Sequence, residues 1–196
     1  MTSRGKRPQF EFAIIAGELK GKKIVAPDFG GTRPPLTRLR KSIFDFLQPY
    51  LPDAHYLDLF SGTGSYLFEA VSRGVSGAVG VEMEKRLAES INSQAQKFGV
   101  VDRLTCLVGD VFEVVPRLEQ QREKFDIVMI APPQYQGLVD RTLATLAEHP
   151  VSTDDGLIIC QHDSSETRRI DFSAFETLQQ RKYGNTTFTV LAESRR

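Results

Sequence analysis

Apolar residues fall along this chain in two alternating rhythms. Short, predominantly apolar runs, the pattern of strands buried on both faces, occupy residues 56–60, 78–81, 104–108, 125–130 and 156–160. Between them, over residues 65–73, 85–98, 111–118 and 137–148, apolar positions recur at helical spacing. Strand and helix in alternation, with short connections, predict a parallel sheet covered by helices on both faces. The rhythm changes near the C-terminus, where strand-like runs around residues 175–183 and 187–192 are joined by the turn signal Gly184-Asn185. These two runs should form an antiparallel pair at the sheet edge. Upstream, residues 10–16 and 22–26 are separated by the turn-prone Gly17 and Gly21 and predict a short hairpin. Met1 to Pro8 reads as a polar, basic arm, and residues 27–35 as a glycine- and proline-rich connection. A helix over residues 36–48 follows, with Leu36, Leu39, Ile43, Phe44 and Leu47 on one side and Arg38 and Lys41 on a polar side that Arg33 adjoins. The division expected is an arm and hairpin over residues 1–35 and a main α/β domain over residues 36–196.

The stretch YLDLFSGTG, residues 56–64, organises the rest. A buried strand carries one acid, Asp58, and runs into Ser61-Gly62-Thr63-Gly64, a turn poor in side chains that opens a helix. A ligand can approach such a backbone closely. A dinucleotide fingerprint needs a glycine or alanine three residues after Gly64, and that position is Leu67, which weakens a pyrophosphate reading. An acid in the strand end suits a cationic ligand instead, and S-adenosylmethionine carries a sulfonium and an ammonium. The plain alternative is a glycine turn without a ligand. Two more acids lie where the ligand crevice of a doubly wound sheet falls, beyond the carboxyl ends of the strands: Glu82 ends the second strand and Asp110 follows the third. Glu82 stands 18 residues past Gly64, near the spacing at which an acid accepts from ribose hydroxyls. Asp110 can then accept from the adenine amine. Each acid alone could be a helix N-terminal acid favoured by the dipole.

Composition narrows the class. With 196 residues the chain suits one sizeable domain. No apolar run reaches membrane-spanning length and the N-terminus has no signal-peptide core, so a soluble, cytoplasmic protein is expected. Cys106 and Cys160 sit in apolar stretches, and His55, His149 and His162 show no ligand spacing with them; both cysteines read as reduced core residues, and no metal is expected. Net charge is zero, yet residues 1–41 hold ten Lys or Arg against three acids, and the remainder carries the compensating −7. A basic end of this kind points to a polyanion such as nucleic acid.

Several motifs together resemble the RsmD-type methyltransferases, which act on a guanine exocyclic amine of bacterial small-subunit ribosomal RNA. They are Ile14-Ile15-Ala16-Gly17, Leu19-Lys20-Gly21, Arg33-Pro34-Pro35 with Thr37-Arg38-Leu39-Arg40, the stretch from Leu57 to Gly64, Glu69-Ala70, Ser72-Arg73-Gly74, Val81-Glu82, and Phe125-Asp126-Ile127 leading to Pro132-Pro133. The resemblance implies a Rossmann-like, seven-stranded S-adenosylmethionine-dependent methyltransferase fold carrying the N-terminal β-hairpin as an extension. It places the cofactor at Asp58, Gly62, Gly64, Glu82 and Asp110, with Phe60 also expected at the cofactor, and the basic balance of residues 1–41 points to RNA phosphates at Lys20, Lys22, Lys23, Arg33 and Arg38. Ribosomal RNA, or the pre-assembled small ribosomal subunit, is the implied partner of a monomeric protein.

One departure concerns chemistry. The family's catalytic loop reads Asp-Pro-Pro followed by Tyr or Phe, whereas this chain has Ala131-Pro132-Pro133-Gln134 with Tyr135 one place late. Tyr66 also stands where the family has a small or aliphatic residue. An exocyclic amine is a poor nucleophile, so its methylation depends on positioning, with acceptors holding the amine hydrogens and an aromatic ring stacking a base drawn out of its helix. Here the catalytic set comprises Pro132, whose carbonyl remains as acceptor, Pro133, Gln134, and Tyr135 as the nearest ring. The sequence leaves three readings open: an RNA methyltransferase, a non-catalytic relative that binds RNA or cofactor, and a methyltransferase with another acceptor.

Overall fold

The structure is a computed structural model, and it describes residues 9–27 and 37–194. Arg33, the arm over residues 1–8 and the proline-rich connection lie outside the described residues apart from Pro27. Nine strands and five α-helices follow in the order β1 (Gln9–Ala13), β2 (Lys23–Pro27), α1 (Thr37–Leu47), β3 (His55–Asp58), α2 (Ser65–Ser72), β4 (Gly77–Glu82), α3 (Lys85–Phe98), β5 (Leu104–Val108), α4 (Val111–Gln120), β6 (Phe125–Ile130), α5 (Leu138–Glu148), β7 (Ser152–Asp163), β8 (Phe175–Tyr183) and β9 (Thr186–Glu193).

Seven strands form one sheet in the order β5-β4-β3-β6-β7-β9-β8. The five from β5 to β7 are parallel, and β9 inserts antiparallel between β7 and β8. The expected antiparallel pair is present, with β9 rather than β8 against the parallel strands. Strand order reverses between β3 and β6, which opens a crevice beyond their carboxyl ends. Alternation sorts each strand between two cores. Tyr56, Ile127, Met129 and Ile159 point to the side that α1, α2 and α3 cover, and Leu57, Val128, Ile130 and Ile158 to the side of α4 and α5.

Glycine sets how closely α2 seats on the sheet. A Cβ at Gly80, in the middle of β4, would lie 2.5 Å from both Leu67 Cδ1 and Ser61 Oγ. The close helix–strand approach that a third turn glycine can provide is therefore supplied from the strand, and Leu67 can stand in the helix.

The hairpin of β1 and β2 is packed onto the larger sheet's helices. Ile14, Leu19 and Ile24 belong to the same core as Phe44 and Phe68. Its tip reaches α2, where Glu69 accepts from the amides of Ile15 at 2.9 Å and Ala16 at 3.2 Å, and Ser72 Oγ accepts from Leu19 N at 2.9 Å. Gly17 lies so close to Ser72 that a Cβ there would fall 1.7 Å from its carbonyl oxygen. Two cations close the charge on the fully buried Glu69: Arg73 Nε at 2.9 Å and Arg40 Nε at 3.9 Å. Arg40 also donates to the carbonyl of Ala13 at 2.6 Å.

Candidate active site at the carboxyl edge of the sheet

The parallel register carries the predicted site residues to one edge. Asp58 ends β3, Glu82 ends β4, Asp110 follows β5 and residues 131–135 follow β6. Backbone bonds tie these ends together, from Leu59 N to Met129 O at 3.0 Å, Ser61 N to Val81 O at 3.0 Å and Gly109 N to Glu82 O at 3.1 Å. Across the edge the order is thus Asp110, Glu82, Asp58 and then the β6 loop.

Gly62 and Gly64 both take positive φ, 51° and 77°, and Gly64 opens α2. A side chain at Gly64 would be strained by that φ, and its Cβ would meet Ile91 Cγ1 at 2.8 Å. Glu82 braces the turn: its carboxylate accepts from Gly62 N at 2.7 Å and from Glu84 N at 2.8 Å. Burial raises the Glu82 pKa, and these amide bonds oppose the rise. Asp110 caps α4 by accepting from Phe112 N at 2.9 Å. Phe60 is half-buried, and its amide donates to Asp58 Oδ1 at 3.3 Å.

Asp58 is the unusual member. It is fully buried, and its second oxygen, Oδ2, has no hydrogen-bond partner among the described residues. Burial pushes its pKa up to about 7; the Phe60 amide pulls it down and the Glu82 charge raises it further. A carboxylate left with an unpartnered oxygen inside the fold is costly unless something supplies a donor or a positive charge. The ammonium and sulfonium of S-adenosylmethionine have that character, so the donor set fits this cofactor. Below the site, Cys106 is buried with its thiol pushed up to about 12 by burial first and by the Asp58 charge second; Cys160 is buried as well, and both are free thiols.

In the β6 loop, Pro132 is buried, while Pro133, Gln134 and Tyr135 are exposed. Tyr135 has a positive φ of 63° and is 67% exposed, and the Asp163 carboxylate raises its phenol pKa. Ala131 packs against the α1–α2 side of the core. There Tyr66 stands buried against Phe44, ring centroids 5.8 Å apart, and its hydroxyl bonds to Gln161 Oε1. Sequence reasoning noted Tyr66 only as a departure and missed Gln161, since the pair is formed across 95 residues.

Of the expected RNA contacts, Lys20, Lys22 and Lys23 all project from the exposed side of the hairpin. Lys22 Nζ lies 5.1 Å from the Phe98 ring centroid, and Lys23 pairs with Glu11 at 2.5 Å. Arg38 lies elsewhere, on a groove of about 420 Å³ between α1 and β8 that Lys41, Phe46 and Arg181 also line. Among the described residues, no group of three or more His, Cys, Asp or Glu is placed to hold a metal ion, and no helix is long and apolar enough to cross a membrane.

Known proteins share this arrangement. The family described as "Conserved hypothetical protein 95" matches residues 12–192. Ribosomal RNA small subunit methyltransferase D of Escherichia coli is 30% identical over 158 residues, 78% of this chain and 75% of that protein. Among solved structures, a putative methyltransferase from Escherichia coli superposes with a TM-score of 0.81 at 22% identity, covering 95% of this chain and all of that one. An RNA methyltransferase from Salinibacter ruber, in complex with S-adenosyl-L-homocysteine, superposes with a TM-score of 0.64 at 15% identity over 83% of this chain and 95% of its own. The seven-stranded sheet with its reversed β9 is thus a methyltransferase fold, and the chain belongs to the RsmD-type ribosomal RNA methyltransferase family.

Proposed function

We propose that this protein transfers a methyl group from S-adenosylmethionine to a guanine exocyclic amine of small-subunit ribosomal RNA, in the cytoplasm and as a monomer. The observation that carries the reading is the buried Asp58, whose Oδ2 lacks a partner within the fold, one strand from Glu82 and one from the β6 loop. When bound, S-adenosylmethionine supplies a methyl group on a positively charged sulfur. Asp58 would balance that cationic end, Glu82 would accept from the ribose hydroxyls, Asp110 would face the adenine, and Gly62 and Gly64 would leave room for close backbone approach. Residues 131–135 then hold the acceptor, with the Pro132 carbonyl accepting from the amine and Tyr135 swinging over the base.

The basic hairpin over residues 1–35, with Lys20, Lys22 and Lys23, and the groove at Arg38 supply the phosphate contacts in this reading; Arg33 joins them from outside the described residues. Charge complementarity supports this, since the +7 of residues 1–41 faces a polyanion.

Ala131 supports a second reading, a relative that binds RNA and cofactor without turnover, because a methyl group stands at the start of the loop where the resemblance leads one to expect a carboxylate. Labelled S-adenosylmethionine, incubated with unmodified ribosomal RNA and separately with small subunits, tests both readings once the label is located. Label on one guanine supports transfer. Binding of cofactor and RNA without label, in the natural chain and in Ala131→Asp and Ala131→Asp with Gln134→Tyr, supports the second reading. Label on another acceptor overturns the assignment of substrate.

A further inference from the structure

The β6 loop begins with a side chain that cannot hold an amine hydrogen, so a second acceptor beside the Pro132 carbonyl is sought on a neighbouring element. The sheet register identifies which one. Ile130 pairs with Cys160, so the next residues along the parallel strands, Ala131 and Gln161, lie side by side. Met129 and Ile159, two residues back on each strand, both point into the α1–α2 core, which puts Ala131 and Gln161 on that same face. Gln161 is half-buried and shares a small cleft with Pro132 and Pro133. Its amide oxygen is held by the hydroxyl of Tyr66, itself 96% buried at the start of α2 immediately after the glycine turn.

Other polar groups line this cleft, among them His162, Gln134, Tyr135, Asp140 and Glu166. Both ring nitrogens of His162 are engaged, Nδ1 with Asp163 O and Nε2 with Thr189 Oγ1, each at 3.0 Å. Tyr135 and Gln134 are both exposed. Gln161 combines a position beside Ala131 with an orientation fixed by Tyr66.

We propose that Gln161, clamped by the Tyr66 hydroxyl, is the side chain that positions the methyl-accepting amine beside the Pro132 carbonyl. This rests on the methyl-transfer reading above. An amide oxygen has two lone pairs, so Oε1 can accept from Tyr66 and from the amine together, while its NH2 can donate to a ring nitrogen next to that amine. The acceptor class that fits is a base edge with an amine beside a ring nitrogen, a pattern guanine offers and uracil lacks. In the transfer the amine lone pair forms the nitrogen–carbon bond as the sulfur–carbon bond breaks, with that pair of electrons staying on sulfur. The surplus proton then leaves the nitrogen for water. Gln161 takes no proton; it holds the amine so that its lone pair faces the methyl group. Tyr66 acts through Gln161 as a positioning residue, which joins the two departures at positions 66 and 131 in one device.

Kinetics of the full-length chain on small-subunit ribosomal RNA test this, with cofactor affinity by calorimetry and Tm recorded for every variant. Gln161→Ala is expected to lower kcat by about 10²-fold. Tyr66→Phe, which removes one hydroxyl, is expected to lower it by about fivefold. Cofactor affinity should stay unchanged in both, and Gln161→Glu, which keeps an oxygen acceptor, should restore kcat to within about tenfold of the natural chain. A natural kcat in Gln161→Ala overturns this inference alone. So does a parallel fall of kcat, cofactor affinity and Tm, which marks a merely structural pair. A natural chain that transfers no methyl group to any RNA overturns the methyl-transfer reading and this inference with it.

Discussion

Cofactor affinity should depend on pH in a way that a single residue controls. Asp58 in the free protein has a pKa raised from 3.8 to about 7, chiefly by burial, with Glu82, Tyr56, Tyr66 and Cys106 as the titratable groups around it. A cationic ligand binds the ionised form. At pH 5 that form makes up about 1% of the protein and at pH 7 about half, so affinity should rise about 50-fold over this range, equivalent to ~2.3 kcal/mol. Glu82, also shifted upward, adds in the same direction. Below pH 7 the cofactor's own ammonium stays protonated and does not distort the profile. Stability of the cofactor-free protein should move the opposite way. Because the folded pKa lies above the unfolded one, folding retains a proton between about pH 4 and pH 7, and stability should fall by ~1.4 kcal/mol per pH unit as pH rises through that window. Calorimetry in buffers of different ionisation enthalpy should record release of nearly one proton per cofactor bound at pH 6, and denaturant unfolding should record the stability slope. Asp58→Asn should flatten both. An affinity that changes less than about threefold between pH 5 and pH 7, or an equal slope in Asp58→Asn, would refute the assignment of Asp58 as the cation's partner.

Three further outcomes follow from particular side chains. Glu82→Ala removes the proposed acceptor for the ribose and the brace on Gly62, and should weaken S-adenosylmethionine binding by about 1.5–3 kcal/mol in a titration; unchanged affinity would exclude Glu82 from the site. Glu69→Ala strips Arg40 and Arg73 of their buried partner and leaves the amides of Ile15 and Ala16 without an acceptor, so unfolding in urea should show a loss of about 3–5 kcal/mol, and a loss below about 1 kcal/mol would refute its bracing role. Replacing Lys20, Lys22 and Lys23 by alanine should flatten the dependence of log affinity for RNA on log salt by about 0.7–0.9 for each phosphate that is no longer neutralised; affinity indifferent to salt in the natural chain would rule out the phosphate reading.

The sequence announced the parallel sheet because a strand buried on both faces must be predominantly apolar, as β6 is apart from Asp126. It also announced that three acids would gather at one edge, because Asp58, Glu82 and Asp110 stand at or just beyond the ends of the strands. The limits are equally physical. Strand β7 extends over Ser152–Asp163, well beyond the apolar core read at residues 156–160, because a strand's polar ends can remain in the backbone ladder: Ser152 pairs with Phe125 across a register shift. The place of β9 between β7 and β8 is likewise a matter of pairing partners, which no local pattern encodes. Gly80 reads as an ordinary strand glycine until the helix above it is in place, and Tyr66 meets Gln161 only when α2 lies over β7.

Two buried acids, Asp58 and Glu69, show what the three-dimensional arrangement adds. In the sequence they look alike, each a single carboxylate inside an apolar segment, and burial makes either one costly unless it is matched. Glu69 is matched from within: two guanidinium groups and two backbone amides surround it. Its charge is spent on holding the hairpin to α2, and an external cation would find its oxygens already occupied. Asp58 has one amide at 3.3 Å on Oδ1 and nothing on Oδ2. The same energetic requirement that makes Glu69 a structural hub supports the proposed role of Asp58 as the cofactor's receptor, since among the described residues nothing supplies the partner its Oδ2 lacks. Substituting each acid by its amide should separate the two roles. Glu69→Gln should lower stability at every pH between 5 and 8 and leave cofactor affinity per folded molecule nearly intact. Asp58→Asn should leave the protein as stable or more stable at pH 7 while abolishing the pH-linked part of binding. Loss of cofactor affinity in folded Glu69→Gln, or loss of stability in Asp58→Asn at pH 7, would reverse these roles.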